Sequence, residues 1–167
     1  MIIKPINITK ENFSEFGDLI SSKNINPINI NDGYAKRFDD LAKVNTIKDQ
    51  GKTCVSIFSS LKRSFPMKID MMEKHSLGSQ AFIPMKETVF LSFVAPAGDS
   101  PNISKIKSFI IPPNTGINYK PGIWHFPLIS TEDTNFLVID RKGSGENLTI
   151  HNFAKEEIIL EYEKKKS

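Results

Sequence analysis

The hydrophobic and polar positions divide the chain into a short helical start, a polar segment and a long region of strands. The opening segment "ITKENFSEFGDLI" has Thr9 as a candidate N-cap and acidic residues in the first turn. Its apolar residues recur at helical spacing: Phe13, Phe16, Leu19 and Ile20. This pattern predicts an N-terminal helix. Residues 22–50 are rich in Asn, Asp and Gly, which favours a short strand or an irregular binding loop.

From Cys54 onward, short apolar runs alternate with turn segments such as "APAGDSPN", "PPNTGINYKPG" and "RKGSGEN". We predict strands at 53–59, 66–73, 80–84, 87–95, 105–111, 122–129 and 134–140. Short strands separated by close turns are typical of an antiparallel sandwich or barrel. The last segment, 154–167, reads "AKEEIILEYEKKKS" and predicts a short C-terminal helix or a frayed tail. No repeat or linker interrupts the chain, so residues 1–167 are expected to form a single domain.

Composition narrows the classes of function. The chain has 167 residues, of which 39% are hydrophobic and 25% charged, and its net charge of +3 comes from lysines scattered among 19 acids. Such a diffuse excess indicates a solvated surface, so no nucleic-acid partner is expected. No stretch approaches the roughly 18 uncharged apolar residues of a membrane-spanning helix, and no secretory signal is evident, so we expect no membrane partner and a cytoplasmic protein. The lone Cys54 is interpreted as a packed thiol.

Candidate chemistry begins in "IDMMEKHSLGSQAFIP", residues 69–84. Alternate residues of a strand share a face, so Glu73 and His75 project to the same side. Two such side chains make half of a metal site or of an acid–base site. A second half is offered by "GINYKPGIWHFPL", in which a Pro121-Gly122 turn precedes Trp124 and His125.

These two motifs resemble those of the cupin superfamily, with Glu73-x-His75-x4-Gln80 as the first and Pro121-Gly122-x2-His125 as the second. The resemblance implies a mainly β protein, with a cupin-like antiparallel β-barrel or jelly roll. It also implies a metal site made by Glu73, His75, Gln80 and His125. Two imidazoles, a carboxylate and an amide oxygen suit a divalent ion with open positions for substrate.

Four segments, taken in order, resemble the ureidoglycolate lyase family: "IDMMEKHSLGSQAFIPM", "FVAPAGDSPN", "GINYKPGIWHFPL" and "FLVIDRKGSGEN". The resemblance implies a homodimer that releases urea from (S)-ureidoglycolate to give glyoxylate in allantoin degradation, with a nickel-type divalent cofactor. The sequence departs from the family pattern at Lys74, Ser76 and Phe126, and the last replaces a second histidine. In a strand, Phe126 would face away from His125, so activity is expected to survive.

The chemistry of ureidoglycolate cleavage assigns roles to these residues. The carbinol hydroxyl must lose a proton while the urea nitrogen leaves, so Glu73 is the candidate base if it is not a metal ligand. His75 and His125 are the candidate ligands, and Tyr119 or a histidine is expected to protonate the leaving nitrogen. Gln80, Phe82 and Trp124 are candidate substrate contacts, with backbone bonding or core packing as the alternative.

A substrate carboxylate favours a guanidinium partner, and Arg37 and Arg141 are the two candidates. Asp140 and Arg141 could equally form a structural ion pair. Two alternatives to the lyase remain at this point: a non-catalytic cupin that binds a small carboxylic acid, and a cupin enzyme that acts on another small hydroxy acid. Only an enzyme needs a proton acceptor beside the metal ligands, and Glu73 supplies one.

Overall fold

The structure is a computed structural model that describes residues 1–154 and 157–163. Among these residues the elements are, in chain order, β1 (Ile2–Ile3), β2 (Ile6–Asn7), α1 (Lys10–Phe13), β3 (Gly17–Ile20), β4 (Ile28–Ile30), β5 (Ala35–Arg37), β6 (Lys52–Ser60), β7 (Met67–Ile69), β8 (Met71–His75), β9 (Gln80–Pro84), β10 (Phe90–Ala95), β11 (Lys107–Ile111), β12 (Gly116–Tyr119), β13 (Trp124–His125), β14 (Ile129–Ser130), β15 (Thr134–Lys142), β16 (Leu148–Asn152) and β17 (Ile158–Leu160). Single 3-10 turns cover Asn31–Gly33, Lys48–Gln50 and Ile103–Lys105.

Three sheets are stacked in layers. The middle sheet has the strand order β16-β8-β13-β10-β11-β2, with β14 also paired to β10. A five-stranded sheet, β3-β12-β9-β15-β6, covers one face, and a three-stranded sheet, β1-β17-β7, covers the other. Strand β10 shows the two-residue period of such a middle layer, since Phe90 and Val94 belong to one core cluster and Leu91 and Phe93 to the other. Strands β4 and β5 form a separate hairpin.

The mainly β architecture predicted from the sequence is confirmed and is consistent with a cupin-like sandwich. The barrel itself is not closed among the described residues, because β6 and β16 each remain at the edge of their own sheet. The two facing sheets therefore form an open sandwich.

The predicted N-terminal helix is present but spans only Lys10–Phe13. Its start is as expected, because the Thr9 hydroxyl accepts a hydrogen bond from the Asn12 N–H and the Asn12 side chain accepts one from the Thr9 N–H. The helix does not continue through residues 17–20, which pair as β3 with β12. Gly17 permits this pairing, because a Cβ there would clash with the Asn118 carbonyl oxygen.

The predicted C-terminal helix is wrong for the described residues. Ile158–Leu160 form β17, which pairs with β1 on one side and β7 on the other. Ile158 and Leu160 are buried and Ile159 is half-buried, which is the two-residue period of a strand. Two neighbouring strands supply hydrogen bonds that outweigh the local helical preference. The remainder of the predicted tail, residues 155–156 and 164–167, lies outside the described residues.

Most predicted strands are found, with two splits. The predicted strand 66–73 divides at Asp70 into β7 and β8, which lie in different sheets, and 122–129 divides into β13 and β14. Strands β1, β2, β12 and β16 were not predicted, and β3 and β17 lie in segments predicted as helices. Within residues 1–154 and 157–163 no helix has the length and apolar character needed to cross a membrane. The cytoplasmic location stays a prediction.

Candidate active site

The sequence motifs meet on the middle sheet, where β8 pairs with β13. His125 lies directly opposite Glu73 in the antiparallel register, and His75 lies two residues beyond Glu73 on the same face. The Glu73 Oε1 is 3.5 Å from the His125 Nε2 and 3.8 Å from the His75 Nε2. One ligand atom from each residue lies within 4.8 Å of the others. Strand alternation and one cross-strand register thus assemble the predicted cluster.

The Pro121-Gly122 turn fixes the approach of β13 to β8. The Gly122 N–H donates to the His75 carbonyl at 2.8 Å. Gly122 has a φ of +81°, a left-handed conformation that L side chains rarely adopt. The turn therefore needs glycine at this position in order to deliver His125 beside His75.

Hydrogen bonding sets the state of the His125 ring. Its Nδ1 lies 3.1 Å from the Ile123 carbonyl oxygen, which can only accept a hydrogen bond, so Nδ1 carries the proton. In the neutral ring, the Nε2 lone pair then points toward Glu73 and His75. The Tyr119 ring stacks on His125 with centroids 4.5 Å apart and an interplanar angle of 17°. Such support behind the ring is what an oriented metal ligand requires.

The Nε2 atoms of both histidines are buried and lack a hydrogen-bond partner. Their distances to Glu73 are too long for strong hydrogen bonds. Buried polar atoms are rarely left unpaired, so two such atoms facing one carboxylate indicate a site that binds a ligand. Two imidazole nitrogens and one carboxylate oxygen form a donor set that fits a divalent metal ion.

Glu73 is held in its ionised form. Burial by itself raises the pKa of its carboxyl group, but when His125 and His75 carry a proton on Nε2, their hydrogen bonds and positive charge outweigh burial and bring the pKa to about 2. A cation in place of those protons would hold the carboxylate ionised in the same way. The group is therefore a carboxylate throughout the pH range in which most proteins are folded. A carboxylate with so low a pKa is a weak proton acceptor and a good cation ligand.

Tyr119 lies behind His125 and is almost fully buried. Its hydroxyl makes a 2.8 Å hydrogen bond with the Ser92 hydroxyl. Burial raises the pKa of Tyr119 well above its ordinary value, so the phenol stays protonated. The structure thus places the predicted proton donor as a support for His125, with its hydroxyl already paired.

A cavity of about 190 Å³ opens between the middle and five-stranded sheets beside the cluster. Its volume is below the few hundred Å³ of sites for drug-sized ligands, so it suits a small molecule. Glu73, Gln80 and Phe82, predicted from the sequence, all line it. The other lining residues were not predicted: Phe58, Ser59, Ser60, Pro127 and Leu128. None of the lining residues is basic.

The remaining predicted substrate contacts lie elsewhere. Trp124 points to the opposite face of the middle sheet, where it packs in the second core cluster and donates to the Gly98 carbonyl. Phe126 belongs to the same cluster, which confirms that the family's second histidine position faces away from His125. Arg37 is exposed and forms an ion pair with Asp39 at 2.9 Å.

Arg141 holds a loop and does not face the cavity. Its guanidinium donates to the carbonyls of Lys48, Asp49 and Ser144 at 2.9, 3.1 and 2.9 Å. The odd-numbered residues around it on β15 face outward, because Phe136 and Val138 belong to the core beneath. Arg141 is not among the residues that line the cavity, and it forms no ion pair with Asp140.

Arg141→Met should lower the free energy of unfolding by roughly 3 kcal/mol, because three carbonyls lose a charged donor in a buried setting. Guanidinium denaturation measures this change. Arg37→Met is the matched control and should change stability by less than about 1 kcal/mol, since its ion pair is exposed. Equal effects of the two substitutions would contradict the loop-holding role.

Comparison with known proteins places the chain among enzymes of one kind. The family model described as ureidoglycolate lyase matches residues 1–161. A ureidoglycolate lyase of Pseudomonas paraeruginosa is 42% identical over 154 residues, which are 92% of this chain and 91% of the relative. A ureidoglycolate lyase of Pseudomonas putida is 40% identical over 161 residues, 96% of this chain and 95% of the relative.

A solved 3,4-ketoisomerase from Helicobacter canadensis covers 75% of this chain and 86% of its own, with 18% identity and a TM-score of 0.42, a likeness too weak to carry an argument. The family match and the relatives agree over nearly the whole chain. The family match includes both motifs that meet at Glu73 and His125. The chain therefore belongs to the ureidoglycolate lyase family.

Proposed function

We propose that this protein is a lyase that cleaves (S)-ureidoglycolate to glyoxylate and urea in allantoin degradation, with a divalent metal ion held by Glu73, His75 and His125. The observation that carries the proposal is the pair of buried, unpartnered Nε2 atoms that face an ionised carboxylate at a small cavity. Family membership supports the reaction. The non-catalytic alternative is not favoured, because the relatives are enzymes.

The reaction is an elimination that balances without water. The carbinol O–H and the C–N bond to urea break, while the aldehyde C=O of glyoxylate and a new N–H of urea form. One proton leaves an oxygen and one is gained by a nitrogen. Among the cavity-lining residues Glu73 is the acidic group, and as a metal ligand its carboxylate would hold the cation beside the carbinol hydroxyl.

Electrostatics support a cation at the cluster. The substrate is a carboxylate, and the cavity lining offers Glu73 but no basic side chain. Without another positive charge, two carboxylates would meet in a partly desolvated space. A divalent ion held by Glu73, His75 and His125 would offset this charge and would acidify the carbinol hydroxyl. Nickel is the ion that we expect first, and the chain's own part is to orient the three ligands.

Purified protein incubated with ureidoglycolate should release urea and glyoxylate in equal amounts, measured separately. Release of ammonia and carbon dioxide in place of urea would indicate amidohydrolase chemistry and refute the lyase. Glu73→Gln should lower kcat by roughly 100-fold or more, since the charged ligand of the proposed metal ion is lost. Its control is Glu87→Gln, at a residue that hydrogen-bonds Asn114 away from the cavity and should leave the rate unchanged.

Elemental analysis tests the metal. His75→Ala removes one of the three proposed ligands. The affinity for the metal ion should therefore fall by more than the roughly 10-fold to 100-fold that is lost when a residue hydrogen-bonded to a ligand is replaced. His151→Ala is the matched control, because His151 packs against Trp124 and Phe153 in the second core. It should retain the metal content of the unsubstituted protein. Equal metal content in both variants would contradict the ligand set.

We also propose that the protein is a homodimer. Five apolar residues lie on the outer face of the five-stranded sheet: Val55, Ile57, Ile83, Leu137 and Ile139. The register makes them contiguous, with Ile57 opposite Leu137 and Leu137 opposite Ile83. Val55 and Ile57 are 63% and 60% exposed. A two-fold interface sets the same patch on both subunits, so an uncharged apolar patch is complementary to its own copy.

Ile57→Glu places a charge within this outer apolar face, opposite Leu137, and should convert the dimer to a monomer. Light scattering coupled to size-exclusion chromatography measures the mass. Ile28→Glu is the matched control in the β4–β5 hairpin, where Ile28 is 48% exposed, and it should leave the mass unchanged. A dimer that survives Ile57→Glu would exclude this face as the interface.

A further inference from the structure

A second unpartnered acceptor lies beside the cavity. Gln80 is 6% exposed, and its Oε1 is buried without a hydrogen-bond partner. A buried amide oxygen left unpaired is costly, so a partner from outside the chain is expected. Gln80 lines the cavity together with Glu73, but it belongs to β9 of the five-stranded sheet, whereas Glu73 belongs to β8 of the middle sheet. The two residues therefore bound the cavity from opposite layers.

Asp140 fixes which end of the Gln80 amide is left unpaired. Ile139 lies opposite Ala81 in the register of β15 and β9, so Asp140 and Gln80 are adjacent across these strands. The Gln80 Nε2 lies 3.5 Å from the Asp140 Oδ2, a long hydrogen bond whose main effect is electrostatic, because the carboxylate attracts the amide N–H and repels the amide oxygen. A carboxylate only accepts hydrogen bonds, so a flipped amide would set oxygen against oxygen. The carbonyl oxygen is thereby kept as the unpaired atom.

We propose that the Gln80 Oε1 accepts a hydrogen bond from the terminal NH2 of a ureido group and that Asp140 is its positioning residue. A ureido NH2 is a donor and matches an acceptor whose orientation is fixed. The acid and hydroxyl end of the ligand then lies at Glu73, and the urea end lies at Gln80. This assignment rests on the proposed function for the class of ligand, and it gives Gln80 a role other than metal ligation.

Two non-reacting ligands test the contact without turnover. N-carbamoylglycine carries a ureido group and a carboxylate, and N-acetylglycine differs in having a methyl group where the terminal NH2 would be. Isothermal titration calorimetry on the purified protein should show that N-carbamoylglycine binds at least about tenfold more tightly than N-acetylglycine. The reason is that the methyl group of N-acetylglycine leaves the Gln80 Oε1 unpaired. Equal affinities in the unsubstituted protein would overturn the proposal.

Gln80→Met keeps a side chain of similar length and removes the acceptor. It should bring the affinity ratio of the two ligands close to one, mainly by weakening the binding of N-carbamoylglycine. Asp140→Asn should lower the ratio to an intermediate value, because asparagine both donates and accepts and no longer fixes the amide. This variant carries the test if Gln80→Met does not fold. An unchanged ratio in a folded variant would refute the role of the substituted residue.

The outcomes separate this inference from the proposed function. A protein that prefers N-carbamoylglycine but releases no urea from ureidoglycolate retains the inference and loses the lyase assignment. A protein that releases urea but binds both ligands equally retains the lyase and loses the Gln80 contact. A merely structural role of Asp140 would weaken both ligands alike and leave their ratio unchanged.

Discussion

The pairing of β8 with β13 is the constraint on which the site depends. It sets His125 opposite Glu73, while the two-residue period of β8 adds His75 on the same face. A slip of one residue would turn His125 toward the second core and bring Trp124 or Phe126 into the interior. The Gly122 turn and the large side chains buried in the second core oppose such a slip. Packing on one face of the sheet therefore fixes the register that brings Glu73 and His125 together on the other face.

The surroundings of this pairing convert three polar side chains into a site for a cation. The Ile123 carbonyl holds the proton on the His125 Nδ1, and Tyr119 supports the ring. The partly buried Glu73 is held ionised by positive charge and N–H groups facing it from the two histidines, and neutral histidines with Nε2 lone pairs supply neither. The cluster is then rich in lone pairs and poor in donors, which is unfavourable for a protein interior until a positive charge arrives. That imbalance is the physical basis for the proposed metal ion.

The sheet also explains why departures from the family pattern leave the site intact. Lys74 lies on the far face, where its ammonium group contacts the Trp124 ring at 4.6 Å and donates to the Gly98 carbonyl. Phe126 occupies the same layer, with the Arg63 guanidinium 5.9 Å from its ring. Both positions alternate with the ligands and contribute to the second core. Substitutions at Lys74 and Phe126 therefore change the packing on the far face of the sheet more than the cavity.

The sequence by itself determined the strand-rich architecture, the shared face of Glu73 and His75, and the entry of His125 through a Pro-Gly turn, because each depends on local periodicity or turn chemistry. Tertiary structure decided the rest. Leu19 and Ile158 fit a helical spacing, yet both are in strands because β12, β1 and β7 supply partners. From the sequence Arg141 is a candidate for binding an anion, but in the fold its guanidinium donates to three backbone carbonyls. Long-range register, which no local pattern encodes, also set Phe58 beside the cavity and Asp140 beside Gln80.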